Sequence, residues 1–147
     1  MRATHGAPVA LVLALSLAAC GGSSHSSSAS KVPEVVPGST WPSISVTTSA
    51  ASAEVPVDAR QGLTPLLASR LLDHPAPLSE YGLDHPQAML NYRGPAGQTV
   101  DVDVGQLNFD RHFVYLQRRA QPGVYLVPAD TLRPVLALVG IDLKPPE

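Results

Sequence analysis

The sequence predicts an α+β domain: a small antiparallel four-stranded meander with flanking helices on one face, preceded by a disordered tether. Three observations indicate this fold. Apolar residues alternate with period two after Pro86, Gly-rich turns separate the alternating stretches, and leucines recur at helical spacing before them. Strands joined by short turns pair antiparallel, and their apolar face needs a covering layer.

Helices are predicted on both sides of the meander. The first spans residues 58–72, where an apolar stripe has the spacing of one helix face; its members are Leu63, Leu66, Leu67, Leu71 and Leu72. Residues 78–81 are expected to add one helical turn, which Gly82 ends with a positive φ. The last helix is predicted from about Pro128 to Val139, with Pro134 tolerated only in its first turn.

The strands of the meander are predicted at residues 86–92, 100–104, 112–118 and 124–127. In the second strand, three valines alternate with Asp101 and Asp103, which places one face in the core and the other in water. These aspartates lack the dense loop spacing of a calcium site, so we interpret them as a solvated strand face. A short strand at residues 43–46 is expected before the first helix.

The N-terminus predicts export and lipidation. Arg2 precedes an apolar run from Val9 to Ala19, whose 11 residues suit a signal peptide, whereas a transmembrane helix needs about 20 residues. The sequence Leu-Ala-Ala-Cys at residues 17–20 resembles the lipobox of bacterial lipoproteins. This resemblance implies cleavage between Ala19 and Cys20, and a diacylglyceryl group on the Cys20 thiol. The alternative is an ordinary signal peptide with a chance cysteine.

Three parts of the chain follow from these patterns. Residues 1–19 are the signal peptide, residues 20–40 a lipid-anchored Ser/Gly/Pro-rich flexible tether, and residues 41–147 a single α+β domain. The protein is then expected in the cell envelope, bound to the membrane through its lipid and facing the periplasm or the exterior. A net charge of −2 with scattered basic residues argues against a nucleic-acid partner.

Residues 80–86, Glu-Tyr-Gly-Leu-Asp-His-Pro, begin a pattern that continues with Val104-Gly105, Phe113-Val114-Tyr115 and Val-Tyr-Leu-Val at 124–127. Over about residues 54–139 this order and spacing is similar to domain-of-unknown-function family 4340. Members of that family are typically envelope proteins, and some accompany ABC-transporter components of gliding and export systems. The resemblance implies an accessory role in the envelope and supplies no catalytic residues.

The residues of the heptapeptide also have a structural interpretation. Gly82 permits a chain reversal, Leu83 is expected to pack back onto the preceding helix, and Pro86 enforces an extended path into the next strand. The motif residues that we assign this structural role are Tyr81, Gly82, Leu83, Asp84 and Pro86.

Two functions fit the sequence. The first is a non-catalytic interaction module whose sheet face or edge docks an envelope protein, with Phe113 and Tyr115 as contact residues. Alternatively, these two aromatics form the covered face, and Val114 and Leu116 lie outside.

The second function is a hydrolase, metal-dependent or otherwise. It would use His74, His85 and His112, since Leu-Asp-His-Pro occurs twice, at residues 72–75 and 83–86. No catalytic motif is found in the sequence. We therefore expect a protein that is not an enzyme and that needs neither a cofactor nor a metal.

Overall fold

The computed structural model describes residues 31–146. Its elements, in chain order, are β1 (Glu34–Val36), β2 (Ser43–Thr47), β3 (Ser52–Glu54), β4 (Leu66–Leu67), β5 (Arg70–Leu72), β6 (Ala88–Arg93), β7 (Thr99–Leu107), β8 (Phe113–Arg118), β9 (Val124–Pro128) and α1 (Ala129–Ala137). Short 3₁₀ turns occupy Val57–Ala59 and Leu78–Tyr81. A seven-stranded antiparallel sheet runs in the order β3–β2–β6–β7–β8–β9–β5, and β1 pairs with β4 in a separate two-stranded sheet.

The predicted fold class is wrong, because the described chain is mostly β and has a single α-helix. The predicted strands at 86–92, 100–104, 112–118 and 124–127 correspond to β6, β7, β8 and β9, which are neighbours in the sheet. They do not form a separate four-stranded sheet, since β2 and β3 extend it on one side and β5 on the other. The strand predicted at 43–46 is β2, which pairs with β6 from Ser43 to Thr47.

The helix predicted over residues 58–72 is wrong. Gly62 has a φ of +79°, and Leu63 bridges back to Leu66, so their three-residue spacing comes from a tight reversal rather than a helical turn. Pro65 has no N–H to donate to a helical hydrogen-bond ladder. The leucines that follow lie in β4 and β5.

Part of the predicted tether belongs to the folded domain. Residues 31–40 contain β1, whose Val35 and Val36 are fully buried. Next to them the indole N–H of Trp41 donates to the Pro37 carbonyl at 3.1 Å. The remainder of the tether, the signal peptide and the predicted cleavage and lipidation residues Ala19 and Cys20 lie outside the described residues.

The main hydrophobic core lies against one face of the large sheet, which we call the core face. Apolar side chains stand opposite one another across the paired strands, as in the row Val46, Leu90 and Val102. Burial of each such side chain contributes about 1.5–3 kcal/mol. Within the core, the Tyr92 hydroxyl donates to the Leu63 carbonyl at 3.1 Å. This bond joins β6 of the sheet to the segment between β3 and β4.

The C-terminal helix is confirmed as α1, which covers the core with Leu132, Val135 and Leu136. Pro134 lies in its second turn, not in its first as we expected, and it faces solvent. Because Pro134 has no N–H, one backbone hydrogen bond is missing on the solvent-exposed side of this short helix. Gly140, with a φ of +80°, then reverses the chain, and Ile141 N–H donates to the Leu136 carbonyl at 3.0 Å.

Candidate functional site

The face of the sheet opposite the core face is the outer face. In β8, Val114 and Leu116 are fully buried against the core, so the alternating Phe113 and Tyr115 lie on the outer face. The alternative that placed Val114 and Leu116 outside is therefore excluded. Both aromatics are only half-buried.

The chain itself covers part of the outer face. Residues 73–87, here called the crossing segment, connect β5 at the edge of the sheet to β6 and pass over β8 and β7. The ring of Tyr81 in this segment packs on Tyr115, with centroids 4.8 Å apart and planes inclined at 58°. The Tyr81 hydroxyl accepts the Ala76 N–H at 2.9 Å. Tyr115 thus acts as a packing partner for the crossing segment.

A bulge in β7 receives the centre of the crossing segment. The pairing of β7 with β8 shifts between Val104 and Leu107, which leaves an extra residue on β7. Here a Cβ on Gly105 would clash with the Tyr81 carbonyl and contact Leu83. Leu83 is buried over this glycine, so the prediction that it packs on a preceding helix is wrong.

The heptapeptide motif therefore seats the crossing segment on the sheet. Gly82 adopts the predicted positive φ, +67°, and the Leu83 N–H donates to the Leu78 carbonyl at 3.0 Å. The side-chain amide of Gln106 donates to the Glu80 carbonyl at 2.7 Å, which fixes the turn at residues 78–82 to β7. Asp84 is exposed and caps the His85 N–H, and Pro86 leads into β6.

A second region of the outer face, here called the polar half, is formed by the half-buried residues Thr47, Asn91, Asp101 and Asp103. The Thr47 hydroxyl donates to the side-chain oxygen of Asn91 at 3.3 Å, and the Asn91 side-chain amide donates to the Asp101 carboxylate at 2.8 Å. Arg119 pairs with Asp103 at 3.0 Å. The hydrogen bond to Asp103 raises the pKa of Arg119, and its negative charge acts in the same direction. These contacts hold the side chains in place across three strands.

The turn between β7 and β8 projects a fully exposed aromatic ring. Asn108 clamps the turn, because its N–H donates to the Phe113 carbonyl at 2.8 Å and its side-chain oxygen accepts the Phe113 N–H at 3.0 Å. His112 N–H donates to the Asp110 carboxylate at 3.0 Å. At the tip, 97% of Phe109 is exposed. Phe109 was not among the predicted contact residues, although an aromatic residue between Asn and Asp in a turn indicates an exposed ring.

The described chain begins at the same end of the molecule. Pro128 pairs with Phe113, and Ala129 N–H donates to the His112 carbonyl at 2.9 Å, so the turn and the end of β9 adjoin. Beside Pro128 lies an open groove of about 490 Å³, lined by Lys31, Val32, Pro33, Leu67, Ala68, Ser69 and Pro128. We call this end, comprising Lys31–Pro33, Leu67 and Asn108–His112, the tether end.

The three histidines of the metal hypothesis are not brought together. His74 follows β5 beside Val124, at the start of β9, whereas His112 lies next to the Pro128 end of that strand. His85 is exposed, and its nearest acidic partner is the adjacent Asp84, at 3.9 Å. Within residues 31–146, no three His, Cys, Asp or Glu side chains gather into a potential metal site.

Comparison of the chain with family models, with curated proteins and with solved structures found no match. The resemblance of residues 54–139 to domain-of-unknown-function family 4340 therefore stays a prediction. Among the residues that the structure describes, no helix is long and apolar enough to cross a membrane.

Proposed function

We propose that this protein is an exported, lipid-anchored and non-catalytic envelope lipoprotein that docks an envelope protein complex, such as one associated with an ABC transporter. The lipobox-like sequence at residues 17–20 supports export and anchoring. The observation that carries the docking role is the polar half, a partly exposed region of the sheet whose side chains are linked by hydrogen bonds and an ion pair.

A fixed polar surface suits recognition of another protein. Side chains that are ordered before binding lose less conformational entropy when a partner arrives. Interfaces of accessory proteins are about as polar as the rest of a protein surface, and their specificity comes from placed hydrogen bonds and charges. Asn91, Asp101 and Asp103 offer such groups side by side on two paired strands.

The test is crosslinking in intact cells, with tagged protein and identification of the attached proteins by mass spectrometry. Ser45→Arg places a bulky cation beside Asn91 on the outer face, and Ser49→Arg places the same group in the exposed β2–β3 turn as a matched control. We expect a defined membrane complex with the wild type and with Ser49→Arg, a loss of that complex with Ser45→Arg, and a weaker yield with Cys20→Ala.

Two results contradict this proposal. The first is recovery of nothing above background with the wild type. The second is an unchanged complex with Ser45→Arg, which shows that the polar half takes no part in docking. Far-UV circular dichroism of each variant confirms that the sheet has formed.

A further inference from the structure

We propose that the tether end rests on the lipid bilayer and that Phe109 inserts among the lipid headgroups. This inference depends on the lipid anchor of the proposed function, and it concerns a surface separate from the polar half. Three of the five exposed large apolar side chains among the described residues lie at this end: Val32 at 52%, Leu67 at 41% and Phe109 at 97%.

The chain outside the structure determines which end meets the membrane. Ten residues, Gly21 to Ser30, separate the lipidation residue Cys20 from Lys31. Ten residues can span at most about 35 Å, even when fully extended. An anchor of this reach, leaving the domain at Lys31, keeps the adjoining surface close to the bilayer.

The β7–β8 turn is built to present its ring without rearrangement. The two hydrogen bonds between Asn108 and Phe113 and the cap of Asp110 on His112 fix the backbone on both sides of Phe109. A turn whose backbone is held in this way loses little further backbone entropy on insertion. Aromatic side chains are favoured at the boundary between headgroups and acyl chains.

A single aromatic ring anchors a protein weakly, as does a single lipid chain. The turn therefore acts together with the acyl group on Cys20, and its contribution is to set the orientation of the domain. With the tether end on lipid, β7 runs away from the membrane from Leu107 to Thr99. The outer face then stands beside the membrane, within reach of a neighbouring membrane protein.

Val57 provides a matched control at the other end of the sheet. Val57 is 80% exposed and follows β3, next to the start of β2. At that end of the sheet Ser43 pairs with Arg93, and Arg93 pairs with Thr99, the first residue of β7. The experiment compares Phe109→Trp with Val57→Trp in the full-length lipidated protein, reconstituted in phosphatidylcholine vesicles with brominated acyl chains. Trp41 is buried and common to both variants, so its emission cancels in the comparison.

We expect the tryptophan at position 109 to shift its emission to shorter wavelength and to lose intensity to the brominated lipid. The tryptophan at position 57 should emit as in water and be quenched by acrylamide instead. If flotation shows acylated protein on the vesicles while both tryptophans show the same emission and quenching, the inference is wrong. The lipid anchor of the proposed function is not contradicted by that result.

Two other outcomes also overturn the inference, for different reasons. An unmodified Cys20 in mass spectrometry, together with no protein on the vesicles, contradicts the lipid anchor. It therefore also contradicts the membrane attachment in the proposed function. Shielding of the tryptophan at 109 from acrylamide in native membranes, without quenching by brominated lipid in vesicles, assigns the turn to a protein partner.

Discussion

The rings of Tyr81 and Tyr115 pack against each other across the outer face, 4.8 Å apart between centroids. We expect Tyr81→Ala to lower the free energy of unfolding by about 2 kcal/mol, since it removes the aromatic pair and the cover over β8. Tyr81→Phe keeps the ring and loses only the bond to Ala76, so it should cost about 1 kcal/mol or less. Urea unfolding measures both. Equal stability of Tyr81→Ala and wild type would show that the crossing segment is not docked.

Gly105 is a close contact between β7 and the crossing segment. Gly105→Ala is expected to destabilise the protein by about 2 kcal/mol, because the new Cβ meets the Tyr81 carbonyl, which cannot move without shifting the turn. Gly38→Ala is the control, since its Cβ would lie at an ordinary 3.4 Å from Pro65. Thermal unfolding followed by circular dichroism distinguishes the two variants, and similar midpoints for both would refute the contact.

Leu66 and Leu67 distinguish the observed fold from the predicted helix. Both belong to the leucine stripe of that helix, but in β4 they point to opposite sides, with Leu66 at 0% and Leu67 at 41% exposure. Leu66→Ala should therefore cost about 2–5 kcal/mol, and Leu67→Ala less than about 1 kcal/mol. Similar losses for the two variants in denaturant unfolding would favour the helix.

Tyr92 makes stability depend on pH in the alkaline range. Burial raises the pKa of Tyr92 above its ordinary value of 10.0, so folding favours the neutral phenol. This contribution is fully present below pH 10.0 and is lost as the pH rises through the folded-state pKa. We expect Tyr92→Phe to cost about 1 kcal/mol at neutral pH through the lost bond to Leu63. It should also reduce the loss of stability above pH 10.0; identical slopes in both proteins would contradict this.

Sequence patterns located the long strands well. In β6 to β9 and in β2, one face is buried and the other is solvated, so alternation is visible along the chain. The strands β1, β3, β4 and β5 have two or three residues each, which is too short for a period to appear. Their conformation depends on pairing with distant segments, and this is why the leucines of β4 and β5 were assigned to a helix.

The same distinction holds for the site residues. The reversal at Gly82 follows from local geometry and was predicted. For Phe113 and Tyr115 the sequence predicted only that they share one face of β8, and the structure shows that this is the outer face. The cover of Tyr81 over Tyr115 is a tertiary contact with no local pattern. Phe109 lies in a turn, where periodicity gives no information. The membrane contact that we propose for it depends on the position of Lys31 at the same end of the fold.

The place of β5 in the sheet has a consequence for the order in which the protein folds. Arg70 of β5 pairs with Leu126 of β9, the last strand among the described residues. A chain that leaves a ribosome or a secretion channel N-terminus first presents β5 long before its partner has emerged. The sheet can be completed only after β9 has been released, because this pairing joins distant segments. The topology thus delays completion of the native sheet until β9 has emerged, and β5 has no neighbouring strand in the sheet before then.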